Sequence, residues 1–255
     1  MGYGNNYTRD PGVGELPHGI NLVESLCKDA GYNREELEGI ELESKINIFP
    51  GWFKRMPLTF GERINLPEPY SRDDVLPVSD SVHSVYAFYD GSEERYFPAF
   101  TKVTARGKTK IKVKGDVEEI EQNEIILLKR SEKHLEDLSP LEVNRHIADI
   151  ARENKFSLEY LGSFNKQSKE AFVFNPTSGR IFVVATNVCG IENCFGKLNQ
   201  LEIEYYGQVN GFSSSSSVCD ELSGLVSNIL GNFPKRYSGK SSNLTKFDWL
   251  VNSLK

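Results

Sequence analysis

The stretch GIELESKINI, residues 39–48, decides how the chain is to be read. Laid out as a strand, it alternates: Ile40, Leu42, Ile46 and Ile48 share one face, and Glu41, Glu43, Lys45 and Asn47 share the other. The apolar face is suited to a core. The other face, with two carboxylates and an ammonium, either meets water or lines something.

Two further strands carry a charged face of defined sign. Residues 107–114 (GKTKIKVK) place Lys108, Lys110, Lys112 and Lys114 opposite Thr109, Ile111 and Val113. Residues 199–206 (NQLEIEYY) place Glu202 and Glu204 opposite Leu201, Ile203 and Tyr205. Aligned lysines repel one another. In bulk water salt screens them, and each strand alone is compatible with an ordinary solvated face. Turned inward in a closed antiparallel sheet, they need opposing carboxylates and a polyanion. A barrel with a polar inside must then cover the outer face of its strands with helices.

The remaining elements suit such a fold. Strands are predicted at 83–90, 94–104, 123–130, 156–163, 169–175 and 180–187, the last two joined by the turn NPTSG. Ser139, Pro140 and Glu142 signal a helix over 139–153. Helices are also predicted over 20–38, 218–230 and near 243–254, with the serine run 213–217 as linker and N-cap. Residues 1–19 read as a flexible arm. Residues 49–82, with five prolines and no clear periodicity, read as a long irregular insertion in a single domain spanning 20–255. Trp52 and Phe53 are its candidate anchors.

Composition narrows the function classes. With 38% hydrophobic and 26% charged residues the chain reads as globular, and no apolar run reaches the roughly 18–20 residues of a membrane-spanning helix. The N-terminus has no signal-peptide core, which gives a cytoplasmic expectation. A net charge of −6 argues against duplex DNA as partner. Among the four cysteines, Cys189 and Cys194 are spaced C-x4-C without a second pair, which argues against zinc. The four histidines are scattered. Lysines aimed at phosphoryl oxygens can neutralise a triphosphate, and carboxylates can hold Mg²⁺ or Mn²⁺. A metal-assisted phosphohydrolase needs both.

Glu41-Leu42-Glu43-Ser44-Lys45 resembles the E-x-E-x-K signature of CYTH domains, the triphosphate tunnel metalloenzymes. VYAFYD (85–90) is similar to that family's early strand, and the lysine-rich strand 107–114 falls where its basic strands lie. FGKLNQLEIEY (195–205) and ILGNFPKRYSG (229–239) resemble its last-strand segments. The resemblance implies an α+β fold, a closed antiparallel β-barrel forming a tunnel with helices packed outside. It also implies hydrolysis of a triphosphate inside it, inorganic, nucleoside or organic, with the 5′ end of RNA among the candidates. By the same resemblance Glu43 and Lys45 are catalytic, and Glu41, Glu43, Glu202 and Glu204 are metal ligands. Lys108, Lys110, Lys112, Lys114, Arg130 (with Lys129 as its neighbour), Lys166, Lys169 and Arg180 bind substrate.

There are departures. Lysine replaces the family's usual arginines on the middle strands, and RIFVVATNV offers Thr186 and Asn187 where an Asp is common. Cyclisation of a nucleoside triphosphate, non-catalytic binding of a phosphorylated ligand, and an interaction domain with wet charged faces stay open as alternatives.

Overall fold

The computed structural model describes residues 32–33, 40–49, 58–135, 138–153, 156–192, 196–233 and 238–254. In chain order the strands are β1 (Tyr32–Asn33), β2 (Ile40–Phe49), β3 (Ser71–Val75), β4 (Ser79–Asp90), β5 (Arg95–Ala105), β6 (Lys108–Lys114), β7 (Glu118–Gln122) and β8 (Ile125–Leu135). Helix α1 (Pro140–Glu153) precedes β9 (Ser157–Phe174), β10 (Arg180–Gly190) and β11 (Lys197–Val209). Helix α2 (Val218–Gly231), β12 (Ser238–Ser242) and helix α3 (Lys246–Leu254) follow. No described helix is long and apolar enough to cross a membrane.

Eight strands close into an antiparallel barrel in the order β11-β10-β9-β4-β5-β6-β8-β2, with β2 returning to β11. The opening stretch of sequence forms that seam. Along one edge of β2, residues 40–44 pair with 127–131 of β8, and residues 45–49 pass to 238–242 of β12. Along the other edge, residues 43–47 pair with 200–204 of β11. The short strands β1, β3 and β7 add to β11, β9 and β8.

Because the lumen is polar, the apolar core lies outside the barrel wall. Leu42, Ile46 and Ile48 of β2 join Phe182 and Val184 of β10 and Leu201 and Ile203 of β11 beneath Leu222, Leu225, Val226 and Ile229 of α2. Helix α2 is capped by Ser217, whose side chain accepts from the Asp220 backbone while Asp220 reaches back. Val143 of α1 covers Phe100 and Ile111 in the same way. Its cap is the one the sequence signals, with Ser139 N donating to Glu142 Oε2 at 2.8 Å. Helix α3 behaves differently. Trp249 and Leu250 pack on Val85, Phe164, Cys189 and Leu198. By strand alternation Phe164 shares a face with Lys166, and Leu198 with Glu202, so α3 fills part of the lumen.

Several expectations are corrected. The strands predicted at 156–163 and 169–175 are one, β9, which pairs with β4 over 157–168 and with β10 over 165–174. Its middle (SFNKQSK) reads as a loop because it is polar on both faces, Lys166 and Ser168 toward the lumen and Asn165, Gln167 and Lys169 outward, which erases the apolar alternation. The insertion 49–82 is not uniformly irregular: Leu58–Arg63 form a 3₁₀ helix, and β3 lies within it. Gly61 N donates to Thr186 Oγ1 at 2.8 Å, which fastens that helix to β10. Tyr32–Asn33, predicted as helix, form β1. The rest of 20–38, the arm 1–19, and Trp52 and Phe53 lie outside the described residues. β7 (EEIEQ) and β12 (SGKSS) carry too few apolar residues to signal strands.

Gly239 sits where β12 crosses Ile46, and a Cβ there would stand 2.8 Å from the Phe233 ring and 2.9 Å from Ile46 Cγ2. Gly239→Ala is expected to destabilise the fold by about 1–3 kcal/mol through overpacking. A thermal melt checks this; an unchanged Tm would show that Phe233 yields freely.

Candidate functional site

The barrel encloses a cavity of about 720 Å³. β2 supplies Glu41, Glu43 and Lys45 to its wall, and β11 supplies Glu202 and Glu204. Across the seam Glu202 lies opposite Lys45, and Glu204 opposite Glu43. Arg130 of β8 is opposite Glu41. Lys112 and Lys114 come from β6, Lys166 from β9, and Lys246 from the first turn of α3. Glu43 and Lys45 are each 2% exposed, so this face of β2 is not a solvated one.

The charges form one continuous alternating network. Lys112 donates to Glu132 at 2.8 Å, and Lys114 bridges Glu132 (3.3 Å) and Glu41 (2.8 Å). Arg130 donates through Nε to Glu41 at 2.5 Å and through Nη2 to Glu43 at 2.6 Å. Glu43 pairs with Lys45, which lies 3.9 Å from Glu202, and Glu202 pairs with Lys246. Asn187 Nδ2 also donates to Glu202, with its own carbonyl held by Ser168 Oγ at 2.7 Å. His134 contacts Glu132.

Burial penalises every one of these charges, and the neighbours decide the outcome. For Glu43, burial is the largest influence and acts to raise the pKa. Lys45, Arg130 and Lys114 outweigh it and hold the carboxyl at about 2, against the opposing push of Glu202. Glu202 and Glu132 are likewise held well below the usual carboxylate range despite burial, Glu202 by Lys246, Lys45 and Lys166, and Glu132 by Lys112 and Lys114. Lys114 and Lys246 overcome burial through their carboxylates and bind their protons more tightly than usual. Burial wins at Lys45 and at Lys166, whose pKa values are lowered. His83, stacked on Phe164 at 4.8 Å, is held neutral by burial and by Lys166 and Lys112.

Of the residues singled out in the sequence, the structure brings together Glu41, Glu43, Lys45, Lys112, Lys114, Arg130, Lys166, Glu202 and Glu204. It does not bring in the other four. Lys108 and Lys110 share the face of Lys112 but sit nearer the Gly107 turn, outside the cavity lining. Lys169 lies opposite Thr186 on the alternate face of β9 from Lys166. Arg180 points away from the lumen, where it donates to Glu221 at 2.7 Å and to the carbonyls of Ser216 (2.8 Å) and Ser217 (3.1 Å), anchoring α2. Sequence reasoning missed Lys246, Glu132 and His83. A signal existed for Lys246: a lysine in the first turn of a helix opposes the macrodipole, so another interaction must favour it. Glu132 was lost because β8 runs past residue 130.

Among the described residues no three His, Cys, Asp or Glu side chains converge as a metal cluster. The donor chemistry nonetheless fits a hard divalent cation, since Glu41, Glu43, Glu202 and Glu204 are oxygen ligands lining one cavity, with Glu43 and Glu202 kept ionised.

No family model and no curated protein matches the chain. Solved structures resemble it to differing degrees. HpAC1 from Hippeastrum, a putative adenylyl cyclase described as having a dominant triphosphatase activity, superposes with a TM-score of 0.50 at 14% identity, over 83% of this chain and 95% of that one. The S. pombe RNA triphosphatase Pct1, in its complex with the Spt5 CTD, gives 0.31 at 10% identity over 72% and 76% of the two chains.

Two predictions follow from the charge placement. Arg180→Met strands the buried Glu221 carboxylate and is expected to cost roughly 3–5 kcal/mol of stability without weakening ligand binding in the lumen. Denaturant melts and triphosphate titrations check the two halves. Because the Glu43 carboxyl is depressed in the folded state, its stabilising contribution is complete above the ordinary value of 4.5 and is lost as pH falls toward about 2. Glu43→Gln is expected to flatten the pH dependence of stability in that window. An identical acid-unfolding profile in the variant would refute the assignment.

Proposed function

We propose that this chain is a CYTH-type triphosphate tunnel enzyme that hydrolyses the terminal anhydride of a triphosphate with the help of Mg²⁺ or Mn²⁺. The observation carrying this reading is the network of lysines, arginine and glutamates closed inside one barrel. A cavity holding that many buried cations recognises a polyanion better than any neutral ligand. The fold it shares with HpAC1 supports the same reading.

In this mechanism Lys112, Lys114, Arg130 and Lys166 hold the phosphoryl oxygens and meet the charge that builds on them during transfer. Glu41, Glu43, Glu202 and Glu204 would hold the divalent ion, which when bound neutralises phosphate charge and acidifies water. Lys45 loses its proton more readily than an ordinary lysine and sits between Glu43 and Glu202. That placement suits it to orient the attacking water. Lys246 closes the ring of cations from α3.

A second reading, binding without turnover, is favoured by Asn187, an amide in the lumen holding Glu202 where the family resemblance leads one to expect an acid.

Phosphate release from inorganic triphosphate, ATP, GTP, thiamine triphosphate and 5′-triphosphorylated RNA, with Mg²⁺ or Mn²⁺ and with EDTA, separates the two. Metal-dependent release that drops at least a hundredfold in Glu43→Gln is the expected result. Ligand-induced stabilisation with no release from any substrate would favour the binding reading. Neither release nor stabilisation would remove both.

A further inference from the structure

The ionic network leaves out one titratable side chain on the cavity wall. His83 of β4 lines the cavity beside Val85 and lies opposite Phe164 of β9. The two rings stack with centroids 4.8 Å apart and planes 14° apart, and Phe164 is held edge-on by Trp249 of α3 at 5.7 Å. His83 Nε2 is 2.9 Å from Ser81 Oγ. A hydroxyl can donate to a bare ring nitrogen or accept from a protonated one, so this contact serves either charge state. Among the described residues nothing else hydrogen-bonds to the ring, which leaves Nδ1 for a ligand. The surroundings are positive. Lys166 sits opposite Ser81 on β9 and makes no ion pair with a described residue. Lys110 of β6 is level with His83 across Val103. Lys112 and Lys114, shared with Glu132, act from β6, and Lys246, shared with Glu202, acts from α3. Cys189 of β10, opposite Lys166, keeps its proton because burial pushes its pKa up. Burial first, then Lys166, Lys112, Lys246 and Lys114, hold the His83 imidazole well below the usual histidine range.

We propose that His83 takes up a proton from solvent when a triphosphate anion binds in the lumen, and that the resulting imidazolium donates from Nδ1 to a phosphoryl oxygen. The inference rests on the triphosphate reading of the ionic network. The cations that oppose a charge on His83 include Lys112, Lys114 and Lys166, the groups that reading assigns to phosphoryl oxygens. Once an anion carrying several negative charges lies against them, the field at the ring reverses, and a nearby opposite charge favours the charged form. Phe164 works in the same direction, because the neutral stack becomes a cation on a π face. The ring gains one proton and its Nε2–H then donates to Ser81 Oγ; no covalent bond to phosphorus or oxygen is made. By linkage, a proton taken up on binding makes affinity rise as pH falls. A lysine at this position would repel its neighbours at all times. A histidine adds its charge only when the ligand arrives.

The probe is bis-methylene triphosphate, whose P–C–P links resist hydrolysis, added with Mg²⁺ to the full chain. Calorimetry near the ordinary histidine pKa of 6.5, in buffers of different ionisation enthalpy, counts the protons taken up. Wild-type protein is expected to take up about half to one proton more per bound ligand than His83→Gln, since the ligand's own proton exchange is common to both. Nitrogen-15 spectra of histidine-labelled protein are expected to show one ring turning doubly protonated on binding. Its signals disappear in His83→Gln and persist in His134→Gln, which sets aside the histidine on Glu132. A ring with a structural role alone would change neither the count nor the spectrum. Equal proton uptake by wild type and His83→Gln would overturn the inference. So would four histidine rings whose protonation is unchanged with ligand bound. Should His83→Gln not fold, the wild-type and His134→Gln spectra still decide. Phosphate release from inorganic triphosphate tests the hydrolytic reading separately, and release or binding without proton uptake would sink only the His83 assignment. Absence of any binding would overturn both.

Discussion

Lys45 carries its charge through a position that is almost fully enclosed, and its counter-charges are Glu43 on its own strand and Glu202 across the seam. Enclosing an ammonium and a carboxylate costs several kcal/mol for each ion unless geometry returns it. The barrel returns it by alternation: Lys114 and Arg130 meet carboxylates of β2, Lys246 meets Glu202 of β11, and Lys45 lies between Glu43 and Glu202. Much else follows from placing charge inside. The greasy faces of the same strands must point outward, and α1 and α2 exist in their positions to cover them. A barrel of this kind carries its largest apolar cluster on the outside of its wall.

Helix α3 departs from that scheme in an informative way. It lays Trp249 and Leu250 against lumen-facing Val85 and Phe164 and delivers Lys246 to Glu202. One short element thus combines apolar filling with an ionic contact, and it reduces the open tunnel to a bounded cavity.

Much of this was legible in the sequence because strand alternation is strict. Glu41, Glu43, Lys45, Glu202 and Glu204 could be assigned to one face from period alone, and the two capped helices announced themselves through Ser139 and the serine run before Val218. What stayed hidden has physical causes. In β9 the middle is polar on both faces, Lys166 and Ser168 toward the lumen and Asn165, Gln167 and Lys169 outward, so period two carries no hydrophobic signal. β7 and β12 are held by backbone pairing to β8 and β2 with little apolar burial of their own. Arg180 and Lys169 were misplaced because a basic residue before or within a strand says nothing about which side of the wall it occupies. At Arg180 the register places it outside, against α2. Lys246 required knowing that a distant helix enters the barrel.

The seam also governs when the site can come into being. β2 lies near the start of the described chain, yet its partners β8, β11 and β12 extend almost to the end, with Glu43 paired to Glu204 and Lys45 to both Glu202 and Ser242. Contacts so distant in sequence make for slow, late closure. Until β11 and β12 dock, Glu43 and Lys45 are on an open sheet edge and stay hydrated. Their desolvation waits on closure of that seam. A ribosome-bound chain in which β11 and β12 have not yet emerged would carry the E-x-E-x-K strand along an edge it cannot yet close.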